Sequence, residues 1–192
     1  MWPRSTILAF CLLIAINPLE AAADEGEAWS ALRRGGFVAL MRHADAPGGA
    51  GDPPGFKLED CATQRNLSDK GRADARAMGA RLKAEGIVIG RLLSSPWCRC
   101  LDTARLLETG PVEVEPTFSN AFVLRDRRRA LTDEARAIVA SWAGPGTLLV
   151  VTHGANIQAL TGYSPAPSEL VVVATGPGDV LRRIGSISAP DP

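Results

Sequence analysis

Both histidines of the chain follow apolar stretches of strand length. One stretch ends at Arg42 and His43, and a later one ends at His153. Between them, a third apolar stretch leads into the segment that carries Arg99. In open α/β sheets, ligands bind at the carboxyl ends of the strands. We therefore expect these four side chains to converge on one crevice, provided that their strands are neighbours.

These side chains suit the transfer of a phosphoryl group. Guanidiniums offer forked donors that match phosphate oxygens. One imidazole can attack phosphorus as a neutral nucleophile while the other donates a hydrogen bond to the oxygens or the leaving group. Nearby positive charge lowers the pKa of a histidine and keeps it unprotonated near neutral pH. The alternative is that both histidines are structural. Their equivalent positions at two strand ends, together with the presence of two arginines, favour a functional site.

Strands alternate with helices along the chain, which predicts a three-layer α/β/α sandwich with a mainly parallel sheet. The last two strands are expected to form a hairpin closed by a Gly-Pro-Gly-Asp turn at residues 176–179. The predicted strands cover residues 37–41, 87–93, 112–114, 147–152, 169–173 and 180–184. Four helices are predicted. The first covers residues 28–34, the second runs from a cap at Ser68 to Gly86, and the third follows Pro96. The fourth is indicated by an apolar stripe of Leu131, Ala135, Ile138 and Trp142.

Two connections are predicted to serve the crevice. Residues 46–61 are dense in Gly and Pro and long enough for a functional lid. Ser95 is expected to cap the next helix, with Pro96 at its first position. The first amides of that helix would then add donors for an anion.

Composition and the amino-terminal residues limit the classes of partner. The chain has 21 basic and 21 acidic residues, so it lacks the field that attracts nucleic acid. Residues 1–23 have the pattern of a secretory signal peptide, with an apolar core from Ile7 to Ile16 and small residues from Ala21 to Ala23. The alternative, an uncleaved anchor, is disfavoured because the apolar run is too short to span a bilayer. We expect a periplasmic or secreted protein, with residues 24–192 as one domain and no stable membrane insertion after cleavage. The oligomeric state stays open.

Cysteine usage predicts one disulfide. Removal of the signal takes Cys11 and leaves Cys61, Cys98 and Cys100. In an oxidising compartment, an odd number suggests one bridge and one spare thiol. Cys61 would pair with either Cys98 or Cys100, since a bridge between the latter two is geometrically unfavourable. A zinc site is disfavoured because the ligand spacings do not fit.

Four segments in order resemble the histidine phosphatase superfamily, also called the phosphoglycerate mutase-like or acid phosphatase-like fold. The signature Arg-His-Gly reads Arg42-His43-Ala44 here, similar to the small phosphohistidine phosphatases. The other matching segments are Asn66–Ser68 with Gly71, Ser94–Arg99 with Thr103 and Ala104, and Val151–Gly154. On this resemblance the chain is identified as a small exported member of bacterial type.

The resemblance implies a specific set of roles. His43 would be the nucleophile that carries a transient phosphohistidine, and His153 would lie across the phosphate from it. Arg42 and Arg99 would clamp the phosphoryl oxygens, and water would release phosphate without a metal or another cofactor. The expected activity is hydrolysis of a phosphomonoester or phosphoramidate, on a small molecule or a cell-envelope component. The alternative is a catalytically feeble protein of the same fold that binds phosphate for recognition.

The proton donor of the family has no clear counterpart. The matching positions are Asn120 and Gly154, and neither residue is an acid. Five carboxylates could replace it, namely those of Asp45, Glu59, Asp60, Asp126 and Glu169. Glu169 is favoured because an antiparallel closing strand would begin at the same edge as His153, although a solvated carboxylate is the alternative. A phosphoramidate or an activated ester needs such a donor less than an alkyl ester does.

Overall fold

The structure is a computed structural model that describes residues 18–49, 51–176, 178 and 180–189. The helices are α1 (Pro18–Arg34), α2 (Asp69–Ala84), α3 (Cys98–Leu106), α4 (Arg128–Ala140) and α5 (Gly154–Thr161). The strands are β1 (Val38–Arg42), β2 (Ile89–Ser94), β3 (Val112–Val114), β4 (Thr147–Thr152), β5 (Leu170–Thr175) and β6 (Leu181–Ile187). Residues 1–17 of the predicted signal peptide lie outside the described residues. Pro177 and Asp179 of the predicted hairpin turn lie outside them as well.

The six strands form one sheet in the order β3-β2-β4-β1-β5-β6. Strands β1 to β4 pair in parallel, whereas β5 and β6 pair antiparallel as the predicted closing hairpin. All six residues of the central strand β4 are buried, which agrees with its continuous apolar sequence. The predicted α/β fold with a mainly parallel sheet is confirmed.

Helices cover both faces of the sheet because alternate side chains of each strand point to opposite sides. In β1, Ala39 and Met41 join a core with α1, α2 and α3, while Val38 and Leu40 join a second core with α4 and α5. The predicted stripe of α4 contributes the buried Ala135 to this layer, and Ile138 and Trp142 pack against it partly buried. These two cores make the three layers of the sandwich.

The predicted start of α3 at Ser95–Pro96 is wrong, since the helix begins at Cys98. The Ser95 hydroxyl does not cap the helix but lies 2.9 Å from Nε2 of His153. The backbone N–H of Cys98 instead donates to the side-chain oxygen of Gln64, at 3.1 Å. The cap therefore comes from the loop before α2, and this amide is already occupied rather than available to an anion. The first helix also differs from its prediction, because α1 begins at Pro18 rather than at Ala28.

A disulfide ties the loop after β1 to the start of α3. It joins Cys61 to Cys98, with the two Cα atoms 5.7 Å apart, and so decides between the two predicted pairings. Cys100 is a buried free thiol, and burial raises its pKa to about 12.

Gly71 allows α2 to pack closely against the chain that follows His43. A Cβ atom at this position would lie 2.2 Å from the backbone oxygen of Asp45.

Across the described ranges, no helix has the length and hydropathy that are needed to cross a membrane.

Candidate active site

The two histidines lie side by side because their strands are neighbours in register. Arg42 at the end of β1 pairs with Thr152 at the end of β4, and His43 and His153 are the next residues of the two strands. The backbone N–H of His43 donates to the Thr152 oxygen at 2.9 Å. The centroids of the two imidazoles are 5.5 Å apart, with the rings inclined at 70°. The predicted convergence of the two strand ends is thus a feature of the structure.

The His43 imidazole is neutral with a defined tautomer. Its Nδ1 lies 2.8 Å from the backbone oxygen of Ala44. Since a carbonyl oxygen only accepts, Nδ1 carries the proton and Nε2 keeps its lone pair. Burial, assisted by the positive charges of Arg99, Arg42 and Arg65, lowers the His43 pKa to about 3. The ring therefore has the protonation state that a nucleophile requires at neutral pH.

The His153 imidazole is held more deeply than that of His43. Its Nε2 is 2.9 Å from the Ser95 hydroxyl, and the Trp97 indole packs edge-on against the ring with centroids 5.5 Å apart. Burial is the main reason why the His153 pKa lies well below its ordinary value, and the neighbouring His43 and arginines lower it further. His153 is thus also neutral and is fixed in orientation by α3 and the loop before it.

Arg99 forms a buried ion pair with Asp52, a residue that the sequence reasoning missed. The Asp52 carboxylate accepts from Nη1 and Nη2 of Arg99 at 2.6 and 3.2 Å, and both side chains are fully buried. The Trp97 indole and the backbone N–H of Arg65 also donate to this carboxylate, at 3.0 and 3.1 Å. Burial by itself would raise the pKa of Asp52, but these hydrogen bonds outweigh it and hold the pKa below its ordinary value. Asp52 is therefore a charged group that fixes the Nη1–Nη2 edge of Arg99.

A third arginine, Arg65, joins the two that the motifs predicted. Its Nη1 donates to the Ala46 oxygen at 2.5 Å. The Nε atoms of Arg42, Arg65 and Arg99 are all buried, and none has a hydrogen-bond partner among the described residues. Leaving a buried donor unpaired costs about 1–3 kcal/mol, and more when it is charged. All three arginines line one cavity, and their positive charges are suited to an anion with several oxygens.

The side chains of this site surround a cavity of about 400 Å³. None of the described residues that line it carries a carboxylate. The lining residues are Arg42, His43, Gly49, Gly51, Arg65, Arg99, Asn120, Phe122, His153, Gly154, Ala155, Gln158, Ser164 and Pro165. All four predicted site residues are among them, and the loop of residues 46–61 contributes two glycines to the wall.

Glu169 is buried but is not brought to the cavity. Its carboxylate accepts from the Tyr163 hydroxyl and from the backbone N–H of Ala166, both at 2.7 Å. This placement gives no support to Glu169 as the proton donor, nor to the alternative of a solvated carboxylate. Asp45 is similarly occupied, because it accepts from the Ser68 hydroxyl at 2.6 Å.

Within the described ranges, no group of three or more His, Cys, Asp or Glu side chains is placed to hold a metal ion.

Part of the chain matches a family of known proteins. Residues 38–125 match the histidine phosphatase superfamily, branch 1. The matched segment contains Arg42, His43 and Arg99, together with Asp52 and Arg65 that complete the charged cluster. His153 follows beyond the matched segment. No curated protein matches the chain.

Solved structures of histidine phosphatase folds are similar over most of the chain. The protein histidine phosphatase SixA, solved with tungstate, is 23% identical, with a TM-score of 0.52 over 80% of this chain and 97% of SixA. A candidate α-ribazole-5′-phosphate phosphatase from Escherichia coli K-12 is 14% identical, with a TM-score of 0.58 over 77% and 93% of the two chains. A mycobacterial glucosyl-3-phosphoglycerate phosphatase is 19% identical, with a TM-score of 0.52 over 77% and 95%. These similarities establish the shared fold.

Proposed function

We propose that this protein is an exported, metal-independent phosphatase that hydrolyses a phosphomonoester or phosphoramidate through a phosphohistidine on His43. The observation that carries the proposal is a neutral imidazole with a free Nε2 in a cavity lined by three guanidiniums whose Nε–H groups are unpaired in the described structure. The superfamily match of residues 38–125 supports the same chemistry.

The charges of the cluster fit a phosphoryl dianion. Three guanidiniums line the cavity, and Asp52 neutralises one of them, which leaves two net positive charges while both imidazoles are neutral. His43 Nε2 attacks phosphorus, and the guanidiniums stabilise the charge that develops on the equatorial oxygens. His153 lies beside the nucleophile to contact the phosphoryl group, and water then hydrolyses the phosphohistidine.

The lining of the cavity favours substrates with a good leaving group. An alkyl ester expels an alkoxide and depends on a positioned acid, which contributes typically 10²–10⁴-fold. Since no carboxylate lines the cavity among the described residues, a phosphoramidate or an activated ester suits the site better. SixA is named as a protein histidine phosphatase, and phosphohistidine is a phosphoramidate. We propose that this class of substrate, on a small molecule or in the cell envelope, is hydrolysed here.

The disulfide supports export of the protein. Disulfides form and persist in periplasmic and secreted proteins and are rare in reducing compartments. The Cys61–Cys98 bridge holds the loop that carries Asp52, so the geometry of the site depends on an oxidised pair. We therefore propose that residues 1–23 direct secretion and that residues 24–192 act in the periplasm or outside the cell.

The test is detection of the covalent intermediate in protein made without a polyhistidine tag. The protein is mixed with ³²P-labelled acetyl phosphate or phosphoramidate, quenched in alkali, and assayed for label that is stable in alkali and lost in acid. Because the chain has only two histidines, two single variants assign the label. We expect His43→Asn to abolish labelling and His153→Asn to slow it. Val114→Ala, at an exposed position on β3, is the matched control and should label as the wild type does.

Two outcomes would reject the proposal. Label that persists in His43→Asn would place the chemistry elsewhere. Saturable binding of inorganic phosphate with neither label nor turnover on any donor would establish a phosphate-recognition protein instead.

A further inference from the structure

The cavity extends beyond what a phosphoryl group occupies. Its volume of about 400 Å³ lies within the range of sites for small organic ligands, roughly 300–1,000 Å³. The guanidiniums and imidazoles account for the phosphoryl end. The remaining lining consists of Phe122, Asn120, Gly49, Gly51 and residues from α5 and the segment that follows it. The organic part of the substrate therefore contacts this second group.

Phe122 is exposed where an apolar ring would normally be covered. The described residues include four large exposed hydrophobics, and the other three are Val88, Val114 and Val180. Only Phe122 lines the cavity. An exposed aromatic side chain in the wall of a cavity offers a stacking surface for a ligand.

The Phe122 ring is held firmly enough to act as such a surface. Its backbone N–H donates to the Asn120 side-chain oxygen at 3.0 Å, which fixes the turn. The Arg125 guanidinium lies 5.3 Å from the ring centroid in a cation–π contact. A Cβ atom on Gly51 would lie 3.8 Å from Cε1 of Phe122, so the ring lies within van der Waals range of this glycine in the loop. The Phe122 ring is thus a fixed aromatic wall of the cavity.

We propose that Phe122 forms a subsite for an aromatic leaving group, so that the substrate is an aryl phosphate or an aromatic phosphoramidate. The inference rests on the proposed phosphatase function and narrows its substrate class. Two separate observations point to the same class. The aromatic wall favours a planar ring, and the absence of carboxylates among the described lining residues favours a leaving group that departs without an acid. Phenolates and imidazoles meet both requirements, since the phenolate charge is delocalised into the ring and an imidazole protonated on its other nitrogen departs as a neutral, weakly basic ring.

Non-hydrolysable probes test the subsite without turnover. Phenylphosphonate and methylphosphonate share the anionic group and differ in the ring. By calorimetry we expect Phe122→Ala to weaken phenylphosphonate binding about ten-fold, as the loss of one stacking contact predicts, and to leave methylphosphonate binding within about two-fold. Phe122→Leu, which keeps apolar area but removes the π face, should have an intermediate effect. Val114→Ala should bind both probes as the wild type does.

A kinetic pair separates this inference from the proposed function. The substrates 4-nitrophenyl phosphate and acetyl phosphate both have good leaving groups, but only the first is aromatic. We expect Phe122→Ala to lower kcat/KM about ten-fold for the aryl ester and to leave the acyl phosphate unchanged. Equal losses on both substrates, or no loss on either, would overturn the subsite while leaving the phosphatase intact. Ring-selective phosphonate binding that depends on Phe122, without turnover of any donor, would uphold the subsite and reject the phosphatase. Failure of the wild type to prefer phenylphosphonate over methylphosphonate would overturn the subsite, whereas only the labelling and turnover assays decide on the phosphatase.

Discussion

The buried His43 imidazole makes the stability of the protein depend on pH in a predictable way. The perturbation is acidification from pH 8 to pH 5. In the unfolded chain the His43 pKa returns to about 6.5, whereas burial and the nearby arginines hold it at about 3 in the folded protein. Between these values the unfolded state binds a proton that the folded state does not. Stability is therefore complete above about pH 6.5 and falls as the pH decreases towards 3.

The magnitude follows from the two pKa values. At pH 5 the unfolded-state histidine is about 1.5 pH units below its pKa while the folded-state histidine is still neutral, and this difference costs about 2 kcal/mol. Asp52 contributes in the same direction, but at lower pH, because its pKa lies below the ordinary carboxyl value. The window from pH 7 to pH 5 thus reports mainly on the histidines.

Urea denaturation of the wild type and His43→Asn at pH 8 and pH 5 measures this contribution. The asparagine side chain is neutral throughout and can donate to the Ala44 oxygen as Nδ1 of His43 does. His153 is present in both proteins, so its own contribution largely cancels. We expect acidification to cost the wild type about 2 kcal/mol more than the variant. Equal losses in the two proteins would refute the assignment of a buried, neutral His43.

Two further predictions concern the loop that carries Asp52. Cys61→Ser removes the bridge to Cys98 across a sequence separation of 37 residues and should lower the free energy of unfolding by about 4 kcal/mol in the chain-entropy treatment. Dithiothreitol should lower the free energy of unfolding of the wild type by a similar amount in urea denaturation, and it should leave that of the variant unchanged. An equal response of the two proteins would contradict the prediction. Asp52→Asn leaves the Arg99 charge buried and uncompensated, so urea denaturation should show a loss of about 3–5 kcal/mol. Glu113→Gln, in an exposed pair, should cost less than about 1 kcal/mol, and comparable losses in the two variants would argue against a buried pair.

Local patterns in the sequence were sufficient to predict the main elements and the two strand ends. The apolar runs before His43 and His153 predict parallel strands, and the sheet places them as neighbours in register. The Ser68 cap of α2 is also confirmed, since its hydroxyl accepts from the Gly71 N–H at 2.9 Å. These features depend on residues that are close together in the chain, so periodicity and capping patterns reveal them.

The contacts that Asp52, Arg65 and Ser95 make with distant residues were not predicted. Asp52 lies in an irregular loop without periodicity, and only the fold shows that it pairs with Arg99. Arg65 carried no spacing signal, although its position directly before the Asn-Leu-Ser segment that starts α2 was a cue. Ser95 had the residue type of a helix cap, but the nearby His153 imidazole engages its hydroxyl instead.

Sequence patterns were enough to predict the alternating α/β architecture, the two histidines at strand ends and one disulfide. The folded structure was needed to show that Cys61 pairs with Cys98 and that Glu169 is turned towards Tyr163. It was also needed to show that three arginines line one cavity among the described residues. The two groups of features differ in the range of the interactions that produce them. Hydrophobic periodicity acts within a few residues, whereas ion pairs, disulfides and the lining of a cavity depend on how distant segments pack.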